Sequence, residues 1–159
     1  MIAKRSMLAF FFLSQVGWTH APHNHQSRDA ADLSNDQTQD QMLLDLKHKL
    51  QCIASWKVSV AHLQKDVQES SPTVADILAQ VLSNFEKGER AANEAMVSRD
   101  AQWVQFKYVQ TKMFLSIARS ELTRASSTAL RTEGLETFGR ACLNLGREMD
   151  DVLKSADDR

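Results

Sequence analysis

Residues 42–72, MLLDLKHKLQCIASWKVSVAHLQKDVQESSP, decide the fold. Leu43, Leu46, Leu50, Ile53, Trp56, Val60, Leu63 and Val67 recur every three or four positions, which lines one face of an α-helix with apolar side chains. The stripe stops at Glu69-Ser70-Ser71-Pro72. There the Ser71 hydroxyl can cap a new helix, and Pro72 can take its first position, where a missing N–H costs nothing. The stretch therefore encodes a long helix, a sharp turn and the start of a second helix.

Downstream, Val74, Leu78, Val81, Phe85, Gly88, Ala92 and Ala95 continue the helical spacing, with large residues first and small ones after. The small half permits close approach of a neighbouring helix. The next boundary, Val97-Ser98-Arg99-Asp100, offers Ser98 as a cap but no Gly or Pro. Extending the second stripe would put Arg99 and Gln102 into the seam, which favours a hairpin; a rod unbroken from Pro72 into the Ser126 region is the alternative. The third helix is expected to bury Trp103, Phe106, Val109, Met113, Ile117 and Leu122 and to fade in Ser126-Ser127-Thr128. The last carries Leu135, Phe138, Cys142, Leu145, Met149 and Val152 in coiled-coil rhythm. Gly139 and Gly146, one heptad apart, each cost about 1 kcal/mol relative to Ala, so a close helix contact is expected to offset them.

Short connections join antiparallel neighbours, so the expected architecture is all-α, an up-down-up-down four-helix bundle over residues 42–155 with a frayed tail at 156–159. Three long helices, the middle two fused, form the alternative. The up-up-down-down arrangement of helical cytokines needs two long crossovers, for which this chain has no room.

The 159-residue length suits one domain, and Gly 5 and Pro 2 are too few for a sandwich or a Pro-rich linker. Lys+Arg 19 against Asp+Glu 20 gives a net charge of -1 and no long-range field for a polyanion. At the N-terminus, Lys4 and Arg5 precede the uncharged run MLAFFFLSQVGW at 7–18, shorter than the ~20 residues a bilayer span needs. With Thr19 and Ala21 at the −3 and −1 positions, residues 1–21 read as a signal peptide, so the protein is expected to be exported, periplasmic or secreted. Pro22 falls just after the cleavage point and departs from the usual pattern, which leaves an uncleaved anchor as the alternative. Residues 22–41, PHNHQSRDAADLSNDQTQDQ, hold Leu33 as their one large apolar residue and read as a mobile polar arm.

Cys52 and Cys142 fall near the middles of the first and last helices, hence at similar heights, and an intramolecular disulfide is expected in an oxidising compartment. Two unpaired buried thiols are the alternative.

His20, His23 and His25 surround the cleavage point, and His23 and His25 would remain on a cleaved chain as a low-specificity metal chelator. Asp45 with His48, and His62 with Asp66, share helix faces and read as surface pairs. A di-iron bundle would need Glu-x-x-His motifs, which the chain lacks. Arg140, Arg147 and Lys154, spaced by seven, make a basic ridge on the last helix that can meet an acidic partner, or pair internally with Glu136 and Asp151. Arg119, Arg124 and Arg131 alternate with Glu121 and Glu133, which gives no nucleic-acid stripe. Trp56 and Trp103 fit helical stripes and read as core, and Met96, Met113 and Met149 as scattered gap-fillers. No phosphate loop, nucleophile elbow or haem motif occurs, so the sequence implies no enzyme and no cofactor. The expected role is interaction with a protein partner or self-assembly, without nucleic acid, and with membrane contact only if the leader is retained; a metal or small-ligand carrier, or a membrane-anchored coiled-coil spacer, is the alternative.

Overall fold

A computed structural model describes the backbone of residues 26–154 and the side chains of residues 38–154. Four helices follow in order: α1 (Gln26–Val67), α2 (Pro72–Met96), α3 (Ala101–Leu130) and α4 (Glu136–Lys154). They form an up-down-up-down four-helix bundle in which α2 packs most extensively on α3, while α1 and α4 scarcely touch. The expected leader at 1–21 and the pair His23 and His25 lie outside the described residues.

The first helix is longer than expected. α1 begins at Gln26, so most of the stretch read as a polar arm is a helical extension of α1. No Gly or Pro interrupts the sequence from Gln26 to Val67. Once the packed turns exist, each added residue needs only propagation of the helix, not a new nucleus.

The expected stripes of α1, α2 and α4 are the core. Ile53, Trp56, Val60 and Val67 of α1 meet Val74, Leu78, Val81 and Phe85 of α2, with Trp56 and Phe85 ring centroids 5.9 Å apart. Cys142, Leu145 and Met149 of α4 close this cluster. A smaller cluster of Leu46, Ala92 and Ala95, covered by Leu43, Leu50 and Tyr108, lies at the other end, where α4 does not reach.

Ser71 and Pro72 start α2 as expected, with the Ser71 hydroxyl accepting from Val74 N at 3.5 Å and Pro72 at the first position. The hairpin between α2 and α3 forms, so the fused rod does not. Its cap is Asp100 and not Ser98: Asp100 Oδ1 accepts from the backbone N–H groups of Gln102 at 2.9 Å and Trp103 at 3.2 Å, while Ser98 Oγ accepts from Asp100 N at 3.1 Å. Nor does α3 fade at Ser126-Ser127-Thr128. Ser126 Oγ donates to the Gly139 carbonyl at 3.0 Å and Thr128 Oγ1 to the Arg124 carbonyl at 2.8 Å, so these hydroxyls find partners and the helix continues to Leu130. The turn into α4 uses Gly134 at φ 81°, a conformation that disfavours other residues.

The structure corrects the expected face of α3. Of the expected stripe only Leu122 is buried; Trp103 is 45% exposed, Phe106 54%, Val109 59%, Met113 48% and Ile117 41%. The inward face is Val104, Lys107, Thr111, Leu115, Ala118, Leu122, Ala125, Ser126 and Ala129. The cause is geometric. Five residues separate Ile117 from Leu122, about 140° around a helix, so one face cannot hold both. Leu115, Ala118, Leu122, Ala125 and Ala129 keep an unbroken three-and-four spacing, and α2 and α4 grip that half, so the N-terminal half must follow its rotation.

The expected disulfide is absent: both cysteines are free. The helix midpoints are not level, because α1 has 42 residues and α4 has 19. Cys52 sits about 22 Å below the top of α1, whereas Cys142 sits about 9 Å below the top of α4. Burial pushes the Cys142 thiol up to about 11.

Candidate interaction surface

The N-terminal half of α3 is built the reverse of an ordinary bundle helix. Inside, between Val104 and Leu115, it carries a lysine and a threonine; outside it carries two aromatic rings, a valine, a methionine and an isoleucine. The inward polar groups are satisfied. Thr111 Oγ1 donates to the Lys107 carbonyl at 2.8 Å, and Lys107 Nζ pairs with Glu94 on α2 and donates to Gln110 Oε1 at 3.1 Å. The same ammonium lies 4.7 Å from the Trp103 ring centroid and 5.6 Å from that of Phe106, a cation–π contact that fixes both rings at the surface. Trp103 and Phe106 are in turn 5.6 Å apart, centroid to centroid.

Further along, Arg119 clamps α4 to α3 through Nε to Asp150 Oδ1 at 2.9 Å and Nη2 to Asp150 Oδ2 at 2.8 Å, and also donates to Thr123. This forked pair holds the Asp150 carboxyl below the usual carboxylate range. Two of the cations on α3 are thus committed within the chain on opposite flanks of the stripe, Lys107 toward α2 and Arg119 toward α4.

The other expected candidates do not assemble into a site. Asp45 engages the fully buried Lys49 at 2.7 Å and not His48; His48 Nε2 instead lies 3.7 Å from Cys52 Sγ. Burial raises the Cys52 thiol above its ordinary value, with Lys49 opposing the shift. His62 and Asp66 are both exposed. Among the described residues no group of three His, Cys, Asp or Glu side chains could hold a metal ion. Arg140, Arg147 and Lys154 stand on the exposed side of α4 as a basic ridge. Arg124 pairs with Glu121 on its own helix, as the alternation of charges suggested. Trp56 is core; Trp103 is not, and Met96 and Met113 are exposed while Met149 is buried.

An open groove of about 570 Å³ runs along α1 and α2 beside Lys57, Glu89, Arg90 and Glu94. A Lys57 to Glu89 ion pair of 2.6 Å ties its two walls. The surface that sequence reasoning missed is the α3 strip, whose residues were assigned to the core. The signal that marks it is the five-residue step from Ile117 to Leu122. No protein-family model matches the chain, and comparison with curated proteins and with solved structures finds no match.

Proposed function

We propose that this is an exported, non-enzymatic helical-bundle protein that works by presenting one helix face to another protein surface. The observation that carries the reading is the outward apolar strip of α3, five large side chains each about half exposed. Taking roughly 150–250 Å² for an aromatic ring, the strip offers on the order of 500 Å², as large as the greatest apolar patch of a typical monomer and of the kind that marks interaction sites. Export rests on the sequence of residues 1–21, and among the described residues no helix is long and apolar enough to cross a membrane.

The test is cross-linking in the native host with the full chain and with Phe106→Glu. A cross-linked product that the substitution abolishes supports the reading; a product unaffected by it, or none, overturns it. The mass of the same material tests export, through loss of residues 1–21.

A further inference from the structure

We infer that the α3 strip is covered by the α3 strip of a second copy of this chain, the two helices antiparallel about a two-fold axis beside Val109 and Gln110. The inference rests on the docking reading above and names its occupant. Its first support is the order of the side chains. Trp103 and Phe106 lie at one end of the strip and Met113 and Ile117 at the other, so reversal about Val109–Gln110 sets Phe106 level with Met113 of the second copy and Trp103 within one residue of its Ile117. Each ring then meets an aliphatic or thioether partner, a favourable pairing for methionine, and the patch is its own complement as a two-fold interface requires.

The second support is charge. From Ala101 to Ser120 α3 holds Lys107, Lys112 and Arg119 and no acid. The antiparallel pair keeps Lys107 and Lys112 of the two copies on opposite flanks of the strip. Lys107 and Arg119 already hold Glu94 and Asp150, so an acidic protein or an anionic lipid surface gains little here.

The third is area. Two strips bury on the order of 1,000 Å², at the threshold of a specific interface, before the uncharged rim of Gln102, Ser116 and Ser120 is added.

Sedimentation equilibrium of the full chain at about 100 µM, a concentration that saturates a micromolar interface, tests the pairing. The expected mass is near twice that of the chain, falling to one chain in Phe106→Glu with an unchanged helical circular-dichroism spectrum. Orientation is read from Gln110→Cys in a Cys52→Ser background, which oxidises to a covalent dimer beside the axis, whereas Trp103→Cys in that background does not. A monomeric wild type overturns the inference, as does a dimer indifferent to Phe106→Glu or one cross-linked through Trp103→Cys alone. If the chain is monomeric yet is cross-linked to a different protein in the native host in a Phe106-dependent manner, the docking reading stands and self-pairing fails, whereas Phe106-dependent binding to neutral phosphatidylcholine vesicles alone overturns both. If the Phe106→Glu variant matches a monomeric wild type in both assays, the two fail together.

Discussion

Gly139 and Gly146 show how a single missing methyl sets the distance between α3 and α4. A Cβ on Gly139 would lie 2.7 Å from Leu130 Cγ and 3.0 Å from the Leu130 backbone nitrogen, whereas one on Gly146 would meet the Arg119 guanidinium at 2.8 Å. Backbone cannot yield as the end of an arginine can. Gly139→Ala is therefore expected to cost about 1–3 kcal/mol by overpacking, and Gly146→Ala less. At Gly88 the nearest atoms lie at 3.6 Å, ordinary contact, so Gly88→Ala is expected to stabilise α2 by about 0.5–1 kcal/mol. Urea unfolding of the three variants checks the order. Asp150 adds a dependence on pH. Because Arg119 lowers its folded-state value below the unfolded one, the pair's contribution is complete above about pH 4 and disappears as pH falls through the lower folded value. Asp150→Asn is expected to cost up to about 1 kcal/mol at neutral pH, as befits a partly exposed pair, and to flatten the acid limb of a stability–pH curve.

At the scale of the element, α3 is two different helices joined end to end. Its second half buries Leu115, Ala118, Leu122, Ala125 and Ala129, and its first half turns its large apolar residues outward. Leu115→Ala is expected to cost about 2–5 kcal/mol, while Met113→Gln, two positions away, stays within about 0.5 kcal/mol. Thermal melts in dilute solution, where copies do not associate, separate the two.

The same helix marks the limit of what periodicity reveals. The α1, α2 and α4 stripes were legible because each has one uninterrupted phase and its own turn chemistry, as at Ser71-Pro72. In α3 two phases overlap, and only the packing of Leu122 and its neighbours against α2 and α4 decides between them. Cap identity failed for a related reason: Ser98 and Asp100 are both good caps, and the tie is broken by where the tertiary turn ends. The cysteines misled because height is counted from the shared end of the bundle and not from each helix's middle: Cys52 lies fifteen residues before the end of α1 and Cys142 six residues after the start of α4.

For the whole molecule, the unequal helices leave two distinct ends. From the α1–α2 turn to about mid-height, four helices enclose a core that runs from Val67 and Val74 to Trp56, Phe85 and Met149; at the far end three helices enclose alanines and the buried Lys49. Beyond that, α1 runs on from Leu43 back to Gln26. So polar a sequence offers little apolar surface to bury, and a helix that rests on propensity alone is marginal in water. Hydrogen exchange is expected to be fastest in residues 26–41, intermediate around Leu46 and Ala92, and slowest around Val60 and Val81.

The near-absence of contact between α1 and α4 governs how quickly the chain finds this arrangement. Each helix meets chiefly the one next to it in sequence, so no step waits for the two ends of the chain to diffuse together. Assembly can proceed by successive closure of three short turns, and stopped-flow refolding is expected to finish within milliseconds. A nascent chain can thus bury α1 against α2 before α4 has been synthesised.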